Sequence, residues 1–146
     1  MALRNIILSD NELIRKKSKP VKAFDNNLWI LLDDMYETMV ENSGCGIAAI
    51  QVGVLKRAVI VEVNGLKLEL INPEIISMQG KQKNMEGCLS VKNKRGEVER
   101  PYQITVKAYD RYGNEMTFTV CDFTAVAVCH ELDHLDGILF IDKIIK

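Results

Sequence analysis

The spacing of apolar residues predicts an amphipathic helix in the first third of the chain. In residues 26–41, NNLWILLDDMYETMVE, apolar side chains recur every three or four positions, which is the pattern of a helix with one buried face. The stripe consists of Leu28, Leu31, Leu32, Met35, Met39 and Val40. Asp25 is a candidate N-cap, and the Asn-Ser-Gly sequence at 42–44 ends the helix. Residues 1–24 are expected to be irregular apart from a helical turn near 11–16.

Two pairs of strand-like segments follow, each joined by a turn. Residues 57–71 contain RAVIVEV and LKLELI on either side of Asn64-Gly65, a dipeptide typical of tight hairpin turns. Residues 104–120 contain ITVKAYD and EMTFTV around four turn residues, RYGN. The sequence therefore predicts two antiparallel hairpins. The basic run at 92–100 has no comparable pattern, and its lysines are expected in a solvated loop.

A second helix is predicted near the C-terminal end. The segment FTAVAVCHELDHL at 123–135 is apolar in its first half, and Asp122 precedes it as a candidate N-cap. Helix, antiparallel strands and helix in this order indicate an α+β fold rather than a parallel doubly wound sheet. We expect the strands and hairpins to pack around the C-terminal helix in one domain over residues 1–146.

Composition indicates which partners and which cellular compartment to expect. Lys and Arg number 19 against 20 Asp and Glu, so there is no basic excess of the kind that nucleic acids or anionic membranes usually require. No apolar run is long enough for a signal peptide or a membrane span, and we therefore expect a cytoplasmic protein. In that reducing compartment no disulfides are expected among Cys45, Cys88, Cys121 and Cys129.

The predicted C-terminal helix contains a motif that carries chemistry. Both histidines of the chain lie in His130-Glu131-Leu132-Asp133-His134, one helical turn apart on one face. This spacing lets both imidazoles reach one metal ion, with Glu131 beside them as a base for an attacking water. Two surface histidines near acids are the alternative, which the specificity of the motif disfavours.

A catalytic metal usually has three protein ligands, so the two histidines leave one to be found. Among the acids that follow in this sequence, Asp136 points away from the histidine face and Asp142 lies in an apolar segment. The third ligand is therefore expected upstream, from a cysteine. Cys88, in EGCLS at 86–90, is the favoured candidate, and burial of Cys88 in the core is the alternative.

Three segments in order carry a resemblance to a known family. Residues 44–51, GCGIAAIQ, correspond to its motif glycine-x-glycine-Leu-Ala-Ala-x-Gln. Residues 86–90 match its Glu-Gly-Cys-Leu-Ser motif, and residues 129–137, CHELDHLDG, its Gln-His-Glu-x-Asp-His-Leu-x-Gly motif. Over nearly its whole length the chain resembles the peptide deformylases. It departs from them at Ile47, where the family has Leu, and at Cys129, where it has Gln.

The resemblance implies an activity and a cofactor. Peptide deformylases remove the formyl group from the N-terminal formyl-methionine of newly made polypeptides and release formate. Carried over to this chain, the ligands of one divalent metal ion are Cys88, His130 and His134. The metal is usually Fe2+ in the cell, and Zn2+, Ni2+ or Co2+ can occupy the site. The partners implied are formyl-methionyl nascent peptides near the ribosome, with no direct reading of nucleic acid and no membrane.

The resemblance also implies roles for further residues. Glu131 would take a proton from the attacking water and return it to the departing amine. The Gln51 side-chain amide and the Leu89 backbone N–H would donate to the formyl oxygen. Phe123, Val126 and Ala127 precede His130 on its own helix face, where the family has its methionine pocket; ordinary core packing is the alternative. The other candidate substrate contacts are Gly44, Cys45, Gly46, Glu86, Gly87 and Arg95.

Two other functions remain open at this point. The His-Glu-x-x-His motif alone is also compatible with a small metalloprotease that cuts internal peptide bonds. A binding module with a structural zinc site is the other alternative, and it needs a fourth ligand such as Cys45 or Cys129. Separately, we expect Arg100 to pair with Asp133 and orient the second helix.

Overall fold

A computed structural model describes residues 2–145 of the chain. Over these residues there are two α-helices and seven strands, with short 3-10 helices at Glu12–Arg15, Ala49–Val52 and Phe140–Asp142. In chain order the main elements are α1 (Asn26–Glu41), β1 (Gly46–Ala48), β2 (Ala58–Val63), β3 (Leu66–Gln79), β4 (Gln82–Cys88), β5 (Val91–Arg100), β6 (Gln103–Tyr109), β7 (Glu115–Cys121) and α2 (Asp122–Leu135). The α+β class predicted from the element order is confirmed.

The strands form two antiparallel sheets. A five-stranded sheet has the order β1-β2-β3-β6-β7, and β4 pairs with β5 in a separate two-stranded sheet. Both predicted hairpins are present, as β2–β3 and β6–β7. The turn between β2 and β3 uses Asn64 and Gly65 with positive φ angles of 53° and 81°, which explains why this dipeptide is favoured there.

The larger sheet lies between the two helices. Successive residues of a strand point to opposite faces, so β2 contributes side chains to the apolar clusters on both faces of the sheet. Ala58 and Ile60 pack in the apolar cluster with α1, whereas Val59 and Val61 pack in the cluster with α2. The C-terminal helix is therefore held against one face of the sheet, beside β1, which places its His-Glu-x-x-His segment at the sheet edge.

Helix α1 follows the predicted stripe with one exception. The Asp25 side chain accepts a hydrogen bond from the Leu28 backbone N–H at 3.2 Å, so the predicted N-cap is formed. Val40, however, is 52% exposed, although the periodicity placed it on the buried face. Met39 in the same turn is fully buried, and Val40 is turned about 100° from it around the helix, which places Val40 at the margin of the apolar face.

The second helix begins differently from the prediction. Cys121, with extended backbone at the end of β7, occupies the N-cap position, and Asp122 is already the first helical residue. The Asp122 backbone N–H donates to the Tyr102 carbonyl oxygen at 2.8 Å. The predicted Asp122 cap is therefore wrong, because the strand runs directly into the helix and leaves no separate capping residue.

The smaller sheet is the main element that the sequence did not predict. The basic run at 92–100 forms most of strand β5 rather than a solvated loop. Its partner β4 pairs Glu86 with Gly96 and ends at Cys88. Both strands are polar, so their pairing has no local hydrophobic signature. Within the described residues, neither helix has the length and apolar composition needed to cross a membrane.

Candidate active site

Helix α2 carries three buried polar residues into the interior. His130, Glu131 and His134 are 9%, 4% and 1% exposed. The two imidazole centroids lie 5.0 Å apart, as expected for positions one turn apart on one helix face. Burial lowers the pKa of His134 to about 3, which keeps its ring neutral and able to bind a metal ion.

Strand β4 brings a thiol to the same place. The candidate ligand atoms of Cys88, His130 and His134 all lie within 4.8 Å of one another. The Cys88 Sγ atom is 3.4 Å from His134 Nε2. A thiolate and two imidazoles form a donor set that suits Fe2+, Zn2+ and other first-row metals, and three protein ligands leave a position for water or substrate. These residues fit a catalytic divalent metal ion.

A buried arginine orients one of the candidate ligands. Arg100, 3% exposed, donates from Nε and Nη2 to the two carboxylate oxygens of Glu86, each at 2.9 Å. Glu86 Oε1 is in turn 2.8 Å from His130 Nδ1, which leaves Nε2 of that ring for the metal. Burial by itself would raise the pKa of Glu86, but the hydrogen bonds from Arg100 and His130 outweigh it and lower the pKa to about 2.

The same arginine ties α2 to the small sheet. Arg100 Nη1 donates to Asp133 Oδ2 at 2.6 Å, which is the contact expected from the sequence. The bond of Arg100 to Glu86 was not predicted, because nothing in the local sequence relates two residues on different strands. Glu86 lines the cleft, but both its carboxylate oxygens are already bonded within the protein.

Glu131 lies against the backbone of β1. A Cβ atom on Gly46 would overlap the Glu131 carboxylate, so only glycine leaves room for it there. The Oε1 atom of Glu131 is buried and has no protein hydrogen-bond partner, which leaves it available to a bound molecule. Burial raises the pKa of Glu131 to about 7, a value suited to accepting and returning a proton near neutral pH.

The Gln51 amide lies beside Cys88. Its Oε1 atom accepts from the Ala48 backbone N–H at 2.9 Å, and its Nε2 atom is 3.5 Å from Cys88 Sγ. Nε2 also donates to Ser90 Oγ at 3.1 Å. Ser90 was not among the predicted site residues; its place at the end of the EGCLS motif was the only signal for it.

These residues surround one open cleft of about 390 Å³. Every predicted site residue lines it except His134, which is buried. Ser43 and Met85 also line the cleft and were not predicted. Phe123 is 44% exposed and forms part of the wall, with the nearly buried Val126 beside it. The cleft thus joins a polar end, which holds the candidate metal ligands, to an apolar surface.

The four cysteines are all free thiols. Cys45 is exposed in the cleft, and Cys129 is buried. Burial raises the pKa of Cys129 to about 11, so this thiol is protonated at neutral pH. Within residues 2–145, the group with metal-ligand spacing includes neither Cys45 nor Cys129, so the closed structural zinc site is not formed.

Comparison with known proteins decides the family. The sequence profile of the polypeptide deformylase family matches residues 3–146. The chain belongs to the peptide deformylase family. A peptide deformylase of Caldicellulosiruptor bescii is 56% identical over 146 residues, which cover 100% of this chain and 88% of that protein. The crystal structure of peptide deformylase from Thermotoga maritima superposes with a TM-score of 0.98 at 35% identity, covering 100% of both chains.

The family assignment establishes the activity. As a member of the peptide deformylase family, the chain is a hydrolase that removes the N-terminal formyl group from nascent polypeptides. Peptide deformylases use a divalent metal ion, and the chain has a Cys-His-His group that fits one. The metalloprotease and the structural zinc module, left open by the sequence, are thereby set aside.

Proposed function

We propose that Cys88, His130 and His134 hold the metal ion of the deformylase and that Glu131 is its general acid–base. The observation that carries this proposal is the convergence of the three ligand atoms within 4.8 Å beside a buried, unpartnered carboxylate oxygen. The metal, when bound, supplies Lewis acidity that makes hydroxide available near neutral pH. Glu131 takes the proton of the attacking water and returns it to the departing amine.

The proposal assigns the formyl oxygen to two donors, the Gln51 side-chain amide and the Leu89 backbone N–H. Charge builds on this oxygen when the formyl carbon is attacked, and a preorganised donor stabilises it. One such donor typically contributes about 10²–10³ in rate. The place of Gln51 beside Cys88 supports the role, since it keeps the amide close to the ligand group.

The substrate is proposed to extend from this end of the cleft. Its methionine side chain contacts Phe123, Val126 and Ala127, which supply apolar surface beside His130. Its backbone lies along the outer edge of β1, as an added strand would. One related structure, from Acinetobacter baumannii, is described as Met-Ala-Ser bound; it matches this chain with a TM-score of 0.93 at 35% identity. The remaining proposed contacts are Gly44, Cys45, Gly46, Glu86, Gly87 and Arg95.

We further propose the setting in which the enzyme acts. Residues 1–146 form a single catalytic domain that works in the cytoplasm near the ribosome, where formylated chains emerge. Fe2+ is the proposed cellular metal, with Zn2+, Ni2+ or Co2+ as replacements, since a thiolate with two imidazoles binds all of these. Metal analysis of protein purified without oxygen, and cosedimentation with ribosomes, test these two statements.

One comparison tests the site assignment. Anaerobically purified protein is assayed for formate release on formyl-Met-Ala-Ser, and for cleavage of Met-Ala-Ser and of a blocked internal peptide. We expect activity on the first substrate only. In Glu131→Gln, kcat should fall by about 100-fold or more, and the metal content should be unchanged. Cys88→Ser should bind the metal more weakly. Full activity of Glu131→Gln, or full metal binding by Cys88→Ser, would refute the corresponding role.

A further inference from the structure

Ser90 has a position that neither metal binding nor substrate contact explains. Its side chain is fully buried at the turn between β4 and β5, two residues after Cys88. Its Oγ atom accepts a hydrogen bond from Gln51 Nε2 at 3.1 Å. The two residues are far apart in the sequence, so their contact depends on the tertiary fold.

The Gln51 amide is held at both of its ends. Its oxygen accepts from the Ala48 backbone N–H at 2.9 Å, and one N–H of its nitrogen donates to Ser90. The terminal torsion of a glutamine is broad and can flip by 180° when nothing holds it. With the oxygen and one N–H engaged, the planar amide has a single orientation. Its second N–H is then directed at Cys88 Sγ, to which it makes a long hydrogen bond of 3.5 Å, and so points into the ligand group.

The backbones that carry these two residues are also tied together. The Ile7 backbone N–H donates to the Gln51 carbonyl oxygen, and the Ser9 backbone N–H donates to the Ser90 carbonyl oxygen, both at 2.8 Å. One short N-terminal segment thus bridges the 3-10 turn Ala49–Val52 and the turn after β4. The separation between the amide and the Ser90 hydroxyl is therefore set by main-chain bonds.

We propose that Ser90 is a positioning residue that holds the Gln51 amide with its other N–H directed into the ligand group, where the formyl oxygen is proposed to bind. This inference rests on the proposed role of Gln51. Without the Ser90 hydroxyl only the bond from the Ala48 backbone N–H fixes the amide orientation, so the NH2 group is held less firmly and the transition state must order it. The cost falls on kcat rather than on KM, because the oxygen becomes charged only as the reaction proceeds.

A double-mutant cycle with metal-loaded protein and formyl-Met-Ala-Ser tests the inference. We expect Ser90→Ala to lower kcat by about 10-fold or more, as partial loss of one oxyanion donor would, with KM nearly unchanged. In a Gln51→Ala background, Ser90→Ala should change kcat by less than about 2-fold, since the two residues act as one unit. Ser18→Ala is the matched control: Ser18 is also buried, its Oγ has no partner, and its replacement should leave kcat unchanged.

A second measurement does not depend on turnover. In 15N-labelled, zinc-loaded protein, the Gln51 side-chain NH2 signal is assigned by its absence in Gln51→Ala. We expect its two protons to be well separated and slow to exchange, and to move towards free-glutamine values in Ser90→Ala.

The outcomes separate the two proposals. A Gln51→Ala variant with full kcat would refute the oxyanion role of Gln51 itself. A large effect of Gln51→Ala, combined with equal effects of Ser90→Ala in both backgrounds, would overturn the inference about Ser90 alone. An unchanged NH2 signal, or a loss of bound metal equal to the loss of kcat in Ser90→Ala, would also overturn it.

Discussion

Gly46 and Glu131 lie directly against each other in the site, and the space for the Glu131 carboxylate depends on the missing Cβ of Gly46. A Cβ at this position would overlap the carboxylate and come within 2.9 Å of both Glu131 Cδ and Cγ. Neither group can move freely, because Gly46 is paired to Val61 in the sheet and Glu131 lies on a buried helix. The GCGIAAIQ motif at 44–51 therefore makes room for the proposed acid–base, Glu131, and also forms the strand edge along which the substrate is proposed to bind.

We expect Gly46→Ala to displace the Glu131 carboxylate and to lower kcat by about 100-fold, part of the 10²–10⁴ that a positioned acid–base contributes. Overpacking should cost about 1–3 kcal/mol of stability. Steady-state kinetics, metal content and urea unfolding measure these effects. Gly65→Ala is the control: it is strained by a φ of 81° at an open turn, so it should lose stability without losing kcat. Equal kcat in both variants would contradict the expected contact.

At the scale of elements, the buried face of α1 is narrower than the predicted apolar stripe, which included Val40. Met39 is fully buried in the cluster between α1 and the sheet, whereas its neighbour Val40 is half exposed. Successive residues of a helix are turned by about 100°, so Val40 falls at the margin of the face that buries Met39.

Met39→Ala should therefore lower the free energy of unfolding by about 2–5 kcal/mol, because it leaves a cavity in the core. Val40→Ala should change it by no more than about 0.5 kcal/mol, as exposed substitutions usually do. Urea denaturation of the two variants under identical conditions measures the difference. Similar losses in both would mean that the helix end is packed differently.

At the scale of the whole molecule, one ion network joins parts of the chain that are otherwise separate. Glu86 on β4, Arg100 at the end of β5, and Asp133 and His130 on α2 are linked by hydrogen bonds of 2.6–2.9 Å. Lys143, beyond α2, adds an ion pair to Asp133 at 3.1 Å. The small sheet, which carries Cys88, is thereby fixed to the helix that carries the histidines.

This network should make the protein sensitive to acid. The pKa of Glu86 is about 2 in the fold, below its ordinary value of 4.5. The carboxylate therefore contributes its full stabilisation above pH 4.5, and this is lost as the pH falls from 4.5 towards 2. We expect the melting temperature of metal-free protein to fall more steeply over that range in the wild type than in Glu86→Gln. Parallel curves would show that Glu86 is not the group responsible.

The sequence by itself determined the features that depend on local periodicity and on short spacings. The 3.6-residue repeat of 26–41 buries one helix face, and the hairpin strands are short apolar or alternating runs around turn residues, so both patterns are visible in a short window. The i, i+4 spacing of His130 and His134 fixes their common helix face, whatever the rest of the fold is. The third proposed ligand, Cys88, was favoured from its own segment, and the family resemblance then implied the same residue.

The tertiary structure decided the contacts between residues that are distant along the chain. The pairing of polar strands β4 and β5, the bond from Arg100 to Glu86 and the bond from Gln51 to Ser90 leave no mark on local hydrophobicity. Each depends on two elements meeting at a distance of a few ångströms, which is set by the packing of the helices on the sheet. The proposed metal ligands could thus be predicted from residue types, whereas the residues that orient them could be identified only from the tertiary structure.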